Sequence, residues 1–393
     1  MKKSRSLLCV IGAAMLVLPL TLAGVLMLAA GTAAPEIETG VWTELSPEGA
    51  VSSDGGQVTT YIRAGTTANT MVLFCGGGIS YNEYTAARSY GVTEIPDGFY
   101  NDNGALDIAT MADSGLLDFE QNDLLADWNI IIIPYSTADY HIGTGEYTYT
   151  TLQGEEAVLY HHGYTNYRAI MDEAVRYFPD TEKLLIAGYS AGGFGAVMLA
   201  DELIEDYFPQ AQDITLCVDS ALNLTDDWQS IAEEIWQAPQ EIVDTMQSDD
   251  LVVDFMGALY EKYGTRINYL YVNSLHDGEL ARYQNYMLTG DFSSSNEQSE
   301  AFEYMLADMV QKLQRAVPTV GVYVYDRLPY TFSSDQLMLT QHTILTTSTV
   351  SWALTEDTSV MTWLADALNG DVQSYGLSML QEFMENQAEQ MHK

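Results

Sequence analysis

Short continuous apolar runs recur along the chain at residues 58–63, 71–75, 129–134, 183–187, 214–218, 267–272 and 320–325. Each is too short for a helix and is bounded by polar or glycine-bearing segments, so each reads as a buried strand. Helical periodicity fills much of the space between, most clearly over 155–177 and 191–207. This alternation predicts an α/β fold, a mostly parallel sheet with helices on both faces. Two stretches interrupt it. Residues 79–127 are a long polar connection, and 224–263 are an acidic, helix-prone segment carrying Trp228, Trp236, Phe255 and Tyr260. Excursions at the carboxyl ends of strands build lids and substrate walls. For most of these aromatics the expected role is plainer: packing the cap to the body. With no internal repeat or low-complexity linker, residues 35–393 read as a single domain with insertions at 79–127 and 224–263.

The amino terminus changes the picture of where the protein works. MKKSRS precedes an uncharged, largely apolar run over residues 7–30 that ends in AAGTAAP, the pattern of a secretory signal. Residues 1–34 are therefore expected to be a signal peptide cleaved near Ala34 or a retained single membrane anchor, and the protein to be secreted or at the cell surface. Cys9 sits inside the apolar run rather than at its end, the wrong place for lipid modification.

Composition narrows the partners. The 393 residues are 47% hydrophobic, enough for a large core, and 55 acidic against 15 basic residues give a formal charge of −40. Such a surface repels polyanions, which excludes nucleic acid as the expected partner. Outside the leader, Cys75 and Cys217 each end an apolar run. In the expected sheet a third strand separates them, putting them roughly 9–10 Å apart. That is too far for a disulfide, so both read as buried free thiols.

Candidate chemistry centres on LLIAGYSAGGFGAVMLAD, residues 184–201, where a strand runs through a glycine-flanked serine into a helix. A nucleophile elbow needs this context: glycines keep side chains out of a strained turn, so the hydroxyl of Ser190 projects at the carboxyl end of the sheet. The N–H of Ala191 would then begin a helix and aim at a developing oxyanion. A small residue in a tight turn would leave the same string, so supporting groups are required. The glycines of LFCGGGIS, Gly76 to Gly78, directly follow a strand and can supply a second oxyanion donor through the N–H of Gly78. A serine also needs a base and an orienting carboxylate. Of six histidines, His342 alone follows the last strand-like run without lying in the tail, and Asp277 follows an earlier one. Ser190, Asp277 and His342 thus occur in the chain order of α/β-hydrolases. Asp219, after the strand ITLCV, competes as the acid, but a strand-end or capping role is the commoner fate of such a residue. His276 adjoins Asp277 and is poorly placed to face it. No metal or organic cofactor is implied.

These residues resemble the pectin acetylesterase/Notum family of extracellular carboxylesterases. LFCGGGIS is similar to its oxyanion loop, and LADWNIIIIPYSTADYHIG to its N-W-N…P-Y-C-T-G-D-x-H-x-G segment, with Trp128, Asn129, Pro134, Tyr135, Thr137, Asp139, His141 and Gly143 in matching places. HHGYTNYRAIMDEAV resembles the helix entry, AGYSAGGFGA the elbow, VDSALN the D-S-G segment, and QHTIL with MTWLADALNG the late histidine and the helix behind it. The match of VDSALN favours Asp277 over Asp219 as the acid. Ser136 stands where cysteine is common, His161 and His162 where Phe-Arg is, and Ile79 where tryptophan is. The resemblance implies an α/β-hydrolase fold with lid insertions. It also implies an exported serine carboxylesterase removing O-acyl, chiefly O-acetyl, groups from a carbohydrate or related substrate. The rival readings are a serine peptidase of the same fold and a catalytically silent module that binds glycan or a surface protein. De-esterified pectin is a polyanion that a protein of charge −40 repels at low salt. A neutral acetylated glycan avoids that conflict.

Overall fold

A computed structural model describes residues 35–95, 98–106, 108–327 and 339–380. Its strands include β1 (Trp42–Leu45), β2 (Thr60–Arg63), β3 (Asn69–Phe74), β4 (Asn129–Ile133), β5 (Gly145–Thr150), β6 (Glu156–His161), β7 (Lys183–Tyr189), β8 (Asp213–Asp219), β9 (Ile267–Ser274) and β10 (Gly321–Tyr325), followed by a small hairpin of Leu354–Thr355 and Thr358–Ser359. Eight of them form one sheet in the order β1-β2-β4-β3-β7-β8-β9-β10. The β1–β2 and β2–β4 pairs are antiparallel and every later pair is parallel. This is an α/β-hydrolase sheet. Strands β3, β4, β7 and β8 are buried along almost their whole length, which is why they read as unbroken apolar runs rather than alternating ones.

Register brings the carboxyl ends together. Phe74 lies opposite Gly188, and Tyr189 opposite Asp219, so the glycine loop, the serine turn and Asp219 emerge side by side. Ser274 pairs with Tyr325 at the neighbouring strand ends. Cys75 just beyond β3 and Cys217 in β8 flank β7, and both are buried and unpaired. Burial pushes the Cys75 thiol up to about 12.

The structure corrects one element. The helical pattern expected over 155–177 begins as strand β6, which pairs antiparallel with β5, and only Gly163–Ala174 is α-helix. The run EAVLYH carries both periods, and the alternating partner GEYTYT with the turn at Gly154 (φ +84°) decides for a hairpin. In the second insertion, Leu251–Tyr263 is a regular helix, while Trp228 and Trp236 are buried against the body, with Trp236 Nε1 donating to Ser80 O at 2.8 Å. The predicted leader lies outside the described residues. No helix among the described residues is long and apolar enough to cross a membrane.

Candidate active site

Ser190 sits between β7 and the helix Ala191–Glu202 with φ 55° and ψ −128°, a conformation L-residues avoid. Its neighbours impose the turn. Ser190 N donates to Asp219 O and Gly193 N to Ser190 O, each at 2.8 Å. A Cβ on Gly192 would come within 2.1 Å of Phe74 O, so only glycine lets the new helix begin this close to the sheet. Ser190 thus stands on a tight strand-to-helix turn at the carboxyl end of β7.

The glycine loop lies alongside. Gly78 has φ +78°, and a Cβ there would meet Phe99 O at 2.0 Å. Ile79 N donates to Phe99 O and Asn101 N to Gly77 O, both at 2.8 Å, which ties the loop on either side of Gly78. Tyr135 Oη donates to Gly78 O at 2.9 Å. The N–H groups of Gly78 and Ala191 have no acceptor among the described residues, and both residues line the cavity that also exposes Ser190.

Asp277 is fully buried and caps the helix Gly278–Thr289. Its Oδ1 accepts from Glu279 N at 3.1 Å and Leu280 N at 3.0 Å. The same carboxylate holds His342, whose Nδ1 lies 2.8 Å from Oδ2 and 3.0 Å from Oδ1. Burial alone would lower the His342 pKa, but the charge and hydrogen bond of Asp277, with Glu279 and Asp219 beyond, carry it above the ordinary value. His342 faces the same cavity as Ser190. Among the described residues the Ser190 hydroxyl makes no hydrogen bond, so its proton is not yet engaged in this geometry.

Asp219 has the strand-end role weighed for it, and a further one. Its Oδ2 accepts from Ile344 N at 2.8 Å and Leu345 N at 2.9 Å, and Oδ1 accepts from Ser220 Oγ at 3.0 Å. Ser220 Oγ in turn accepts from Thr343 N at 3.2 Å. Asp219 thus clamps the backbone that carries His342, while its own carbonyl holds Ser190. Burial raises its carboxyl to about 6 against the pull of those donors. His276 faces away, with Nε2 2.9 Å from Glu303 Oε2.

The segment after β4 has a role that the sequence left unassigned. Asp139, buried and pushed up by desolvation to about 6, accepts from Thr137 Oγ1, His141 N and Gly163 N at 2.7, 3.1 and 2.7 Å. His141 Nε2 bonds Cys75 O at 2.9 Å, and the ring packs against Phe74 and Gly195. Burial holds His141 down at about 4, so the ring stays neutral. The segment braces the base of the glycine loop against the nucleophile helix. The signal for it in the sequence was the resemblance of LADWNIIIIPYSTADYHIG to the family segment, which marks Asp139 and His141 without saying what they do.

Two cavities meet at Ser190. One, about 20 Å³, is walled by Ile79, Tyr140, Phe194, Asn223, Leu280 and Tyr283. The other, about 260 Å³ and open, is bordered by Gly76, Tyr90, Tyr189, Glu279 and Thr343. A larger cleft of about 520 Å³ beside Arg168, Asp201 and Lys262 contains none of these groups.

By sheet order and turn the chain has the α/β-hydrolase fold. Residues 36–254 match the pectinacetylesterase family, and the chain belongs to it, which places it among hydrolases acting on ester bonds. Two crystal forms of the Wnt deacylase Notum from Drosophila share the fold. Form II aligns with a TM-score of 0.55 at 15% identity, over 85% of this chain and 95% of that one. Form I gives 0.54 at 15%, over 84% and 93%. No curated protein matches the chain.

Proposed function

We propose that the protein is an exported serine carboxylesterase that removes short O-acyl groups, acetyl above all, from a carbohydrate or related substrate. One observation carries the reading: Ser190, His342, Gly78 and Ala191 border one cavity, the N–H groups of the last two have no acceptor among the described residues, and Asp277 stands behind His342. In the proposed cycle His342 takes the Ser190 proton as Oγ attacks the acyl carbon, and Asp277 fixes the tautomer and stabilises the imidazolium. The N–H groups of Gly78 and Ala191 hold the oxyanion. His342 then protonates the departing sugar oxygen, and water, activated by the same imidazole, releases the acid and restores Ser190.

The two cavities support the choice of ester. The 20 Å³ wall cavity admits a group about the size of a water or methyl, which suits acetyl, whereas the open 260 Å³ side leaves room for the alcohol. The basic and apolar leader pattern supports export. The test is acetate release from an acetylated xylan beside a peptide panel, with Ser190→Ala as control. Acetate release that vanishes in the folded mutant supports the reading. Peptide cleavage without acetate release would replace it with a peptidase, and binding without turnover with a silent module.

A further inference from the structure

Glu279 lines both cavities at Ser190, the small one and the open one. It follows the cap residue Asp277 in the first turn of the helix Gly278–Thr289, and Glu279 N is anchored on Asp277 Oδ1 at 3.1 Å. Backbone anchoring fixes the root of this side chain, and the ion pair to Arg282 holds its carboxylate. Its side chain is 37% exposed, so it meets solvent and whatever enters the open side. The nearby cation is Arg282, 2.6 Å from Glu279 Oε2 and 4.3 Å above the ring of Phe292. Arg282 is not among the groups bordering either cavity. An arriving substrate thus meets the carboxylate first, with its paired guanidinium set behind it, outside both cavities.

From this placement, and resting on the esterase reading above, we infer that Glu279 is a charge-selecting residue: it restricts the site to O-acyl esters of carbohydrates that carry no carboxylate beside the ester. A uronate on the sugar being deacylated would bring its charge to the open side of Ser190, against Glu279. Neutral sugar hydroxyls would instead donate to the same oxygens, so one residue both rejects the acid and holds the neutral sugar. The overall charge of −40 acts in the same direction but only at long range. Salt separates the two. At physiological ionic strength, charges beyond roughly 8 Å are screened and a carboxylate at the mouth is not.

The experiment compares two acetylated polygalacturonans of matched acetylation, one with free carboxylates and one fully methyl-esterified, at physiological salt, with 4-nitrophenyl acetate as a reference. Wild-type protein is expected to favour the neutral polymer in kcat/KM by roughly three- to ten-fold, the scale of one charge pair some 6–8 Å apart in a partly solvated site. Glu279→Gln keeps shape and removes charge, and it is expected to bring the ratio to one or reverse it, with the change mainly in KM for the charged polymer. Glu279→Ala should do the same if the glutamine variant folds poorly. A second readout excludes a merely structural effect. Three carboxylates face His342, namely Asp277 from the helix cap, Asp219 from β8 and Glu279 from the helix, and together they raise its pKa. Glu279→Gln removes one, so the acid limb of kcat/KM on the neutral polymer should move to lower pH. A wild-type preference for the charged polymer, or a ratio that Glu279→Gln leaves unchanged, overturns the inference while activity on 4-nitrophenyl acetate keeps the esterase reading standing. Absence of activity on every acetate ester overturns both.

Discussion

Replacing Asp277 and Asp219 in turn by asparagine separates the two buried carboxylates that flank His342. Asp277 does two things: its Oδ1 caps the helix Gly278–Thr289 through Glu279 N and Leu280 N, and both oxygens contact His342 Nδ1. Asparagine caps a helix about as well as aspartate, so the cap survives, and losing the negative charge at the helix start costs only about 0.3–1 kcal/mol. The imidazole loses its anionic partner, and the amide can hold the wrong tautomer, which in a serine triad lowers kcat by about 10⁴-fold. Asp219 is different. Three donors converge on it, Ile344 N, Leu345 N and Ser220 Oγ. Charge-assisted bonds exceed neutral ones by about 1 kcal/mol each, so asparagine forfeits about 3 kcal/mol, and the easier burial of a neutral group returns part of it. The net expectation is about 1–2 kcal/mol of lost stability with kcat down by less than roughly ten-fold, because the Asp277–His342 pair is untouched. Urea titration gives the stabilities, and hydrolysis of 4-nitrophenyl acetate gives the rates. A larger rate loss for Asp219→Asn than for Asp277→Asn at equal stability would refute the assignment and make Asp219 the orienting acid.

Three further outcomes follow from the same geometry. His342 must be neutral to accept a proton, and its pKa is raised by Asp277, so kcat/KM should fall to half at a pH above the ordinary 6.5 and rise toward alkaline pH; in Asp277→Asn that limb should move down. The 20 Å³ cavity should make acetate esters better substrates than butyrate esters by more than about ten-fold in kcat/KM, and Ile79→Ala, which enlarges it, should narrow the gap; equal turnover of both esters by the wild type would count against the cavity as the acyl site. Cys75 and Cys217 should resist a maleimide probe until the protein is unfolded, and reductant should leave the melting temperature unchanged; rapid labelling of the folded protein would contradict their burial.

Much of the fold was legible because the central strands are covered on both faces, which leaves apolar runs such as NIIII and KLLIAGY that admit few other readings. The elbow was legible because a strained strand-to-helix turn demands glycine at fixed offsets from Ser190. What escaped depends on partners far away in the chain. EAVLYH looks helical until Gly145–Thr150 lies beside it. Nothing local marks Asp219 as the clamp on Ile344 and Leu345, more than a hundred residues on. Asp277 could be placed by order after a strand, but its second duty as a helix cap comes from GEL directly behind it, a pattern too short to read with assurance. The brace from Asp139 to His141 was marked in the sequence by its resemblance to a family segment but not explained, since its purpose, holding Cys75 O and packing on Gly195, exists only once the sheet is assembled.

The central claim is that Ser190 is a nucleophile, and a fluorophosphonate tests it most directly, because the reagent phosphonylates only a serine whose proton a base can take and whose oxyanion is held. Intact-mass and peptide analysis should find one adduct, on Ser190, with esterase activity lost in proportion to labelling and no adduct in folded Ser190→Ala. Full labelling elsewhere, or an unlabelled Ser190 in a protein that still hydrolyses acetate esters, would contradict the account.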